Sequence, residues 1–177
     1  GLYTRTLFDY GAAFLERLGP SIELGRSFIR PEYQRTFKPL LLLWRGLCQF
    51  ICEHPQYRHA YGVVSISNEY QPMSKRLMTE YLTRTCRGED FQDLVRARTP
   101  HVPEPVLDWD HERAQLASTG LESVESIVRE LEGGRAGVPI LVKQYLKLNA
   151  SLLAEFNVDR EFSNVIDGLM LVDFTRV

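Results

Sequence analysis

Two charged side chains, Glu23 and Arg26, stand in an otherwise apolar segment, and their types suit them to chemistry. Their neighbours are typical of a β-strand, and a regular strand sends side chains three positions apart to opposite faces. A bulge at Gly25 would bring both to one face. The pair therefore has two interpretations. It is either an ion pair at the end of a sheet, or a carboxylate that takes or orients an amine proton beside an arginine that binds an anion.

Basic residues follow this segment. Five bases and a single acid, Glu32, lie between Arg26 and Arg45. A helix is predicted to begin at Pro39, and the free N–H groups of a helix N-terminus beside cations favour a phosphate. The alternative interpretation is a solvated loop. The bases that flank this helix start are Arg30, Arg35, Lys38 and Arg45.

The spacing of apolar residues predicts an α/β (α+β) domain in which strands and helices alternate. The helix over 39–53 is apolar almost all round, so we expect it to be largely buried. The predicted strands are 2–8, 21–29, 60–67, 152–158 and 168–174, and the predicted helices are 11–18, 39–53, 72–87, 121–131 and 138–149.

The length of 177 residues suits one domain over 1–177. The chain opens at Gly1 directly into a strand-like run, so we expect an N-terminal part, including strands, to be missing from it. Between Glu104 and Glu132 there are eight acids and two bases. We interpret residues 100–137 as a solvated acidic insertion within the domain.

The composition argues against several classes of protein, including nucleic-acid-binding and membrane-spanning proteins. The net charge of −2 gives no field that would attract nucleic acid. No apolar run reaches the roughly 18 residues of a membrane span, so we expect a cytoplasmic protein with at most peripheral contact at the inner membrane face. Cys48 and Cys52 are expected to be packing residues, and the acidic run 108–112 to be solvated surface, so no metal site is predicted.

Several segments carry a resemblance to a known family. The sequence Ile29–Gln34 followed by a helix resembles the strand and pyrophosphate loop of GNAT acyltransferases. The loop frame Gln34–Pro39 lacks the family's small residues, having Phe37 and Pro39 instead, which disfavours coenzyme A. The chain is more similar to the hemolysin-like, ornithine-lipid branch of GNAT N-acyltransferases, a sister group of acyl-homoserine-lactone synthases. The segments that carry this similarity are 8–9, 23–27, 31–33, 43–46, 62–67, 138–148 and 156–159.

This resemblance implies a GNAT-like fold, with a mixed central sheet flanked by helices, and no tightly bound cofactor. It implies transfer of a long acyl chain, 3-hydroxylated in some members, from a phosphopantetheine thioester to the amine of an amino acid such as ornithine or glycine. The donor implied is acyl-carrier protein, with acyl-CoA as the alternative. Glu23 and Arg26 are then the catalytic candidates. Phe28, Ile29, Arg30, Ser65 and Ser67 would line the acyl-pantetheine arm, and Gln34, Arg35, Lys38 and Arg45 would meet the phosphate or the carrier protein.

Two rival functions remain open. One is a non-catalytic partner domain of a larger acyltransferase or of a second protein. The other is an ordinary CoA-dependent N-acetyltransferase, which the replaced loop glycines argue against. Tyr81, on the second long helix, lies near the position where many GNAT enzymes keep a tyrosine that protonates the leaving thiolate, although a tyrosine on a helix face is more often a packing residue.

Overall fold

A computed structural model describes residues 1–25, 29–33, 38–88, 90–91, 93–104, 115 and 119–176. Four of the predicted site residues, Arg26, Phe28, Gln34 and Arg35, lie outside the described residues, as does the acidic run 108–112. The remaining site candidates are all described.

The fold is the mixed α/β architecture expected from the sequence. The main sheet has the order β2 (Ser21–Leu24), β3 (His59–Ile66), β7 (Val165–Asp173) and β5 (Ser151–Leu152), and β6 (Asn157–Asp159) also pairs with β7. The β2–β3 pair is parallel, and the other pairs of this sheet are antiparallel. A second, two-stranded sheet joins β1 (Phe8–Tyr10) to β4 (Val95–Ala97). The expected mixed sheet is confirmed.

Helices cover the main sheet on both faces. On one face lies a core formed with α3 (Pro72–Thr85), α4 (Leu121–Leu131) and α5 (Ile140–Lys147). On the other face, α1 (Ala12–Leu18) and the small sheet enclose a second core that includes Phe14 and Tyr61. Because side chains alternate along β3, Val64 and Ile66 enter the first core and Tyr61 enters the second.

The N-terminal segment corrects the sequence prediction. Residues 2–8 were expected to form a strand, but Tyr3–Thr6 is a 3₁₀ helix and a strand begins only at Phe8. The carboxylate of Glu23, about twenty positions away, accepts bonds from the N–H groups of Tyr3 and Thr4. In a strand, these backbone N–H groups would have bonded to a neighbouring strand instead. The residues around Tyr3 and Thr4 give no sign of bonds to Glu23, so local sequence could not predict them.

Two other strand predictions were inexact. The strand at 21–29 is described only as Ser21–Leu24, and the strand at 152–158 is divided into Ser151–Leu152 and Asn157–Asp159. The short strand Val95–Ala97 was not predicted. A three-residue strand carries too few positions for its alternation to stand out in the sequence.

Helix α2 (Lys38–Glu53) has the predicted bounds but not the predicted burial. None of its residues, all of which the structure describes, is buried. Its apolar surface exceeds what one neighbouring layer can cover, because only one stripe of a helix can face the body of the protein. That stripe is half-buried and consists of Leu40, Trp44, Leu47 and Ile51, while Leu41, Leu42, Leu43 and Phe50 are exposed.

The acidic stretch is also packed more closely than expected. Val124 and Val128 of α4 are fully buried in the first core, so the expectation of a solvated excursion is wrong for this helix. Two acids of this stretch accept hydrogen bonds from backbone N–H groups. Glu125 accepts the N–H of Val138 at 2.7 Å, and Glu132, only 5% exposed, accepts the N–H of Gln71 at 2.9 Å.

Candidate active site

The two parallel strands of the main sheet are paired over four described positions. Their ladder runs from Ser21 opposite His59 to Leu24 opposite Gly62, and residues 26–28 lie outside the described part of the chain. Strand β3 continues to Ile66, paired on its other side with β7. Along the edge of β3 that faces β2, residues 63–66 therefore have no strand partner among the described residues. Unpaired N–H and C=O groups on an inner sheet edge suit an extended ligand that carries amides.

Gly62 occupies the last rung of this ladder. A Cβ atom at this position would collide with the carbonyl oxygen of Leu24 and would lie 2.8 Å from the hydroxyl of Tyr145. Close approach of two backbones and a phenol thus requires glycine here. The sequence placed Gly62 in a strand but gave no reason for it.

Tyr145 reaches the end of the ladder from α5. Its side chain is 2% exposed, and burial raises the pKa of its hydroxyl. The ring meets Trp44 of α2 edge to face, with the ring centroids 5.7 Å apart. By contrast, Tyr81, the tyrosine considered from the sequence, is half-buried against Leu121 and the outer part of the first core.

Glu23 is engaged by the N-terminal turn. Its Oε1 accepts bonds from the N–H and the hydroxyl of Thr4, both at 2.7 Å, and its Oε2 accepts the N–H of Tyr3 at 3.1 Å. The Thr4 hydroxyl also lies 2.7 Å from the hydroxyl of Tyr10. Burial, reinforced by the neighbouring Tyr10 and Glu23, raises the pKa of Tyr61 on the adjacent strand. Glu23 thus anchors a polar network at the edge of the second core.

The other described candidates for the acyl-pantetheine arm lie on β3, in the turn that follows it and in the segment 29–30. Ile29 is half-buried, and Arg30 is exposed and forms an ion pair with Glu32. The hydroxyl of Ser67 accepts the N–H of Glu69 in the turn that leads to α3. Ser65, exposed on β3 beyond the last rung, donates its hydroxyl hydrogen to Asp167 at 2.5 Å.

Asp167 is a residue that sequence reasoning missed. It lies opposite Ser65 on β7, is 2% exposed, and has a pKa raised to about 6 by burial, with Asp159 adding to the effect and the Ser65 bond opposing it. An acid inside an otherwise apolar strand was the available signal. A buried carboxyl with a shifted pKa near a gap in a sheet is a candidate for proton exchange.

The titration of Asp167 makes a prediction for stability. The folded protein holds this proton more tightly than the unfolded chain does, so folding stability should fall as pH rises through about 6. The total loss is expected to be about 3 kcal/mol. Asp167→Asn keeps the shape and still accepts the Ser65 bond, so it should melt at a higher temperature than the parent at about pH 8, with a smaller difference at about pH 5.

Asp173, on the same strand, provides a control of opposite sign. Although partial burial raises its pKa, hydrogen bonds from the hydroxyl and N–H of Thr175 outweigh burial, so that the pKa is lowered. Asp173→Asn should therefore destabilise the protein at about pH 8. Identical melting curves of the parent and Asp167→Asn at both pH values would contradict this view of Asp167.

The predicted docking residues that the structure describes are both exposed. Lys38 and Arg45 lie on α2, and neither forms an ion pair within the described part of the chain. Lys38 is the first residue of α2, whose N–H groups add partial positive charge. This end of the helix is therefore suited to an anionic partner.

Two kinds of site are not found in the described part of the chain. It contains no group of three or more His, Cys, Asp or Glu side chains placed to hold a metal ion. None of its helices combines the length and hydropathy needed to cross a bilayer.

Comparison with known proteins gives similarities that agree with one another. A family profile for an acetyltransferase (GNAT) domain matches residues 1–45. The glycine N(alpha)-acyltransferase of Bacteroides thetaiotaomicron is 27% identical over 97% of this chain and 52% of its own length. The enzyme of the same name from Phocaeicola vulgatus is 24% identical over 85% of this chain and 48% of its own length.

A relative with a different acceptor is similar over the whole chain. The L-ornithine N(alpha)-acyltransferase of Brucella abortus is 28% identical over 100% of this chain and 56% of its own length. The chain thus spans about half the length of the curated relatives that it matches. No solved structure matches it significantly. The chain is thus similar to glycine and ornithine N-acyltransferases over most of its length and to a GNAT acetyltransferase domain over its first 45 residues, and its mixed α/β fold agrees with these similarities.

Proposed function

We propose that the protein transfers an acyl chain from a phosphopantetheine thioester to the amine of an amino acid. The observation that carries this proposal is the end of the β2–β3 ladder at Gly62, beyond which β3 continues without a strand partner among the described residues on that side. A pantetheine arm is extended and contains two amide groups. It can therefore pair with this edge of β3 as a strand would and satisfy backbone groups of residues 63–66.

The reaction needs no covalent enzyme intermediate. The amine nitrogen attacks the thioester carbonyl carbon, an N–C bond forms, the C–S bond breaks, and the thiol leaves while the amine loses a proton. Glu23 is proposed to take or orient the proton of the amine, and Arg26 is proposed to bind the carboxylate of the amino-acid acceptor. Oε2 of Glu23 accepts a hydrogen bond from the N–H of Tyr3, and a carboxylate oxygen has room for a second.

The acceptor class follows from the relatives. Two matched proteins are named for glycine and one for ornithine, which share an α-amine beside a carboxylate. We propose an amino acid of this kind as acceptor and a lyso-aminolipid as product, with the acyl chain long and in some cases 3-hydroxylated. Such a product would place the enzyme at the surface of a membrane, where the exposed leucines of α2 suit peripheral contact.

The donor is proposed to be acyl-carrier protein. Carrier proteins are acidic, and complementary charge speeds encounter. Lys38 and Arg45 are exposed and lack ion pairs among the described residues, so fold stability gives little reason for them. With Arg30, Gln34 and Arg35 they would form the docking surface, while Ile29, Phe28, Ser65 and Ser67 would line the arm.

A charge reversal tests this docking surface. The double variant Lys38→Glu, Arg45→Glu should bind acyl-carrier protein about tenfold more weakly at low salt and show a shallower dependence on salt, because exposed charges act mainly through screened attraction. Titration of the carrier protein by fluorescence anisotropy measures both.

The matched control is Lys147→Glu, Arg160→Glu, which changes the net charge equally on exposed residues outside α2. It should bind the carrier protein nearly as the parent does. Equal binding by the α2 variant and the parent, or tight binding of CoA with no affinity for the carrier protein, would favour the acetyl-CoA alternative.

We further propose one domain over 1–177, with residues 100–137 as an insertion into it. The alternative role, a partner domain within a larger acyltransferase, gains weight from the relatives' greater length.

The proposed activity is tested with the full-length protein, acyl-carrier protein or acyl-CoA as donor, and glycine or ornithine as acceptor. Thiol release and mass spectrometry of the amide are measured together. We expect amide and thiol in equal amounts, with carrier protein preferred. Acetylation from acetyl-CoA would indicate the acetyltransferase, and no transfer from any donor would indicate the partner domain.

A further inference from the structure

A groove lies between α3 and the β5–β6 edge of the main sheet. Its volume is about 300 Å³, at the lower end of the range of about 300–1,000 Å³ for small-ligand sites. Helix α3 forms one wall, and the segment that joins β5 to β6 forms the opposite side. Strand β7 separates this edge of the sheet from β3, so the groove lies apart from the proposed donor site.

The middle of the groove is apolar. Leu152, Ala154 and Phe156, which we call its floor, are buried or half-buried, and the first and last also belong to the first core. On the α3 wall, Thr79 and Thr83 donate their hydroxyl hydrogens to carbonyl groups one turn earlier in the helix. These hydroxyls therefore have no hydrogen left to donate to a ligand, and this part of the groove suits an apolar chain.

Two arginines at one end of the groove lack partners among the described residues. Arg84 and Arg87 are exposed, and neither side chain forms an ion pair or a hydrogen bond with any residue that the structure describes. The backbone of Arg87 forms a parallel bridge with Leu152, so these arginines lie at the Leu152 end of the floor. A guanidinium group binds a carboxylate through paired, charge-assisted hydrogen bonds, so this end suits a carboxylate.

The two acids that line the groove are engaged elsewhere. Glu80 forms an ion pair with Arg76 at 2.9 Å, and Glu155 accepts the N–H of Ala97 at 3.2 Å. Neither acid lies within ion-pair distance of the two arginines. A ligand carboxylate would therefore meet guanidinium groups that no described carboxylate already holds.

The other end of the groove carries His101. Its backbone N–H donates to the carbonyl of Phe156, which places it at the Phe156 end of the floor. Burial lowers the pKa of its ring, with Lys75 adding to the effect and Glu104 opposing it, so the ring is uncharged at neutral pH. The groove thus has a cationic end and an uncharged end joined by an apolar floor, which is the pattern that suits an amphiphilic anion.

We propose that this groove binds an acyl chain that carries a carboxylate, with the carboxylate at Arg84 and Arg87 and the chain over the apolar floor. Two kinds of molecule share this chemistry. One is a free fatty carboxylate, and the other is an N-acyl amino acid, the product of the proposed reaction. Only the second identity rests on the proposed function, because binding in the groove requires no catalysis.

Isothermal titration calorimetry with octanoate tests the groove. Octanoate should bind about tenfold more tightly than hexanoate, because each buried CH2 group contributes up to about fourfold in affinity. The double variant Arg84→Gln, Arg87→Gln should bind octanoate about tenfold more weakly, since it loses hydrogen bonds to a charged group. The same variant should bind the uncharged probe 1-octanol as the parent does, which separates the carboxylate contact from the apolar floor.

Arg58→Gln, Arg160→Gln is the matched control, since it removes the same charge from exposed residues that do not line the groove. It should bind octanoate as the parent does. Thr83→Trp places a large ring at an exposed position on the α3 wall. By filling the groove, it should weaken the binding of octanoate and octanol alike.

N-octanoylglycine distinguishes the two sources of the ligand. Tighter binding of this probe than of octanoate assigns the groove to the reaction product, and the reverse assigns it to a free fatty carboxylate. The inference is overturned if octanoate does not bind, if it binds no better than hexanoate, or if the Arg84→Gln, Arg87→Gln variant binds it as the parent does. Because the titrations need no turnover, a protein that binds octanoate yet transfers no acyl chain overturns only the proposed function.

Discussion

Gly62→Ala is expected to reduce acyl transfer at least about 100-fold and to destabilise the fold by about 3 kcal/mol, the upper range for overpacking. The added methyl group would collide with the Leu24 carbonyl, which cannot retreat without breaking the last rung of the β2–β3 ladder. It would also press on the Tyr145 hydroxyl. Chemical denaturation and the acyl-transfer assay measure the two effects.

Gly46→Ala makes a matched control of opposite sign. Gly46 lies within α2, and an added Cβ would meet nothing within 4 Å. Replacing a helical glycine by alanine stabilises by up to about 1 kcal/mol. If Gly62→Ala is as stable and active as Gly46→Ala, then the close contact of β2, β3 and α5 at the ladder end is wrong.

Glu23→Ala is expected to destabilise the protein by about 3 kcal/mol, as for loss of hydrogen bonds to a charged group. The variant leaves the N–H groups of Tyr3 and Thr4 without their acceptor, and Thr4 is fully buried. The 3₁₀ turn at the N-terminus should therefore loosen. Denaturation midpoints and hydrogen exchange at residues 3–6 report this loss.

Glu23→Gln separates anchoring from catalysis. Its amide oxygen still accepts the Thr4 bonds, so it should recover part of the stability that alanine loses, whereas its NH2 group is a poor neighbour for the N–H of Tyr3. A variant that is nearly as stable as the parent yet inactive supports a proton-accepting role. Full activity of a stable Gln variant would leave Glu23 a structural anchor only.

Local patterns predicted the elements better than they predicted the contacts. The bounds of α2 and β3 follow from residue type and spacing, and both were correct within one residue. The prediction that α2 is buried was wrong because the composition of a helix does not reveal how many layers of the protein surround it. The N-terminal strand was wrong because Glu23 acts on Tyr3 and Thr4 from a distant segment.

The residues that complete the site depend on the same long-range packing. Tyr145 looked like an ordinary member of an amphipathic helix, and only the placement of α5 beneath Gly62 brings its hydroxyl to the ladder end. Asp167 had a visible signal, an acid within an apolar strand, but its partner Ser65 is fixed by the β3–β7 register. The reason for a glycine at Gly62 becomes clear only once the positions of β2, β3 and the Tyr145 hydroxyl are known.

Hydrogen exchange along β3 tests most directly whether the donor lies between β2 and β3. The protein is compared with and without a stable acyl-pantetheine analogue in which a methylene group replaces the thioester sulfur. Alternate amides of residues 63–66, on the edge that faces β2, should exchange about tenfold more slowly with the analogue bound, because they gain amide partners. The amides of β7, which pairs with β3 on one side and with β6 and β5 over residues 165–167 and 170–171 on the other, should not change. Saturating analogue with unchanged exchange at residues 63–66, or with protection only elsewhere, would contradict the account.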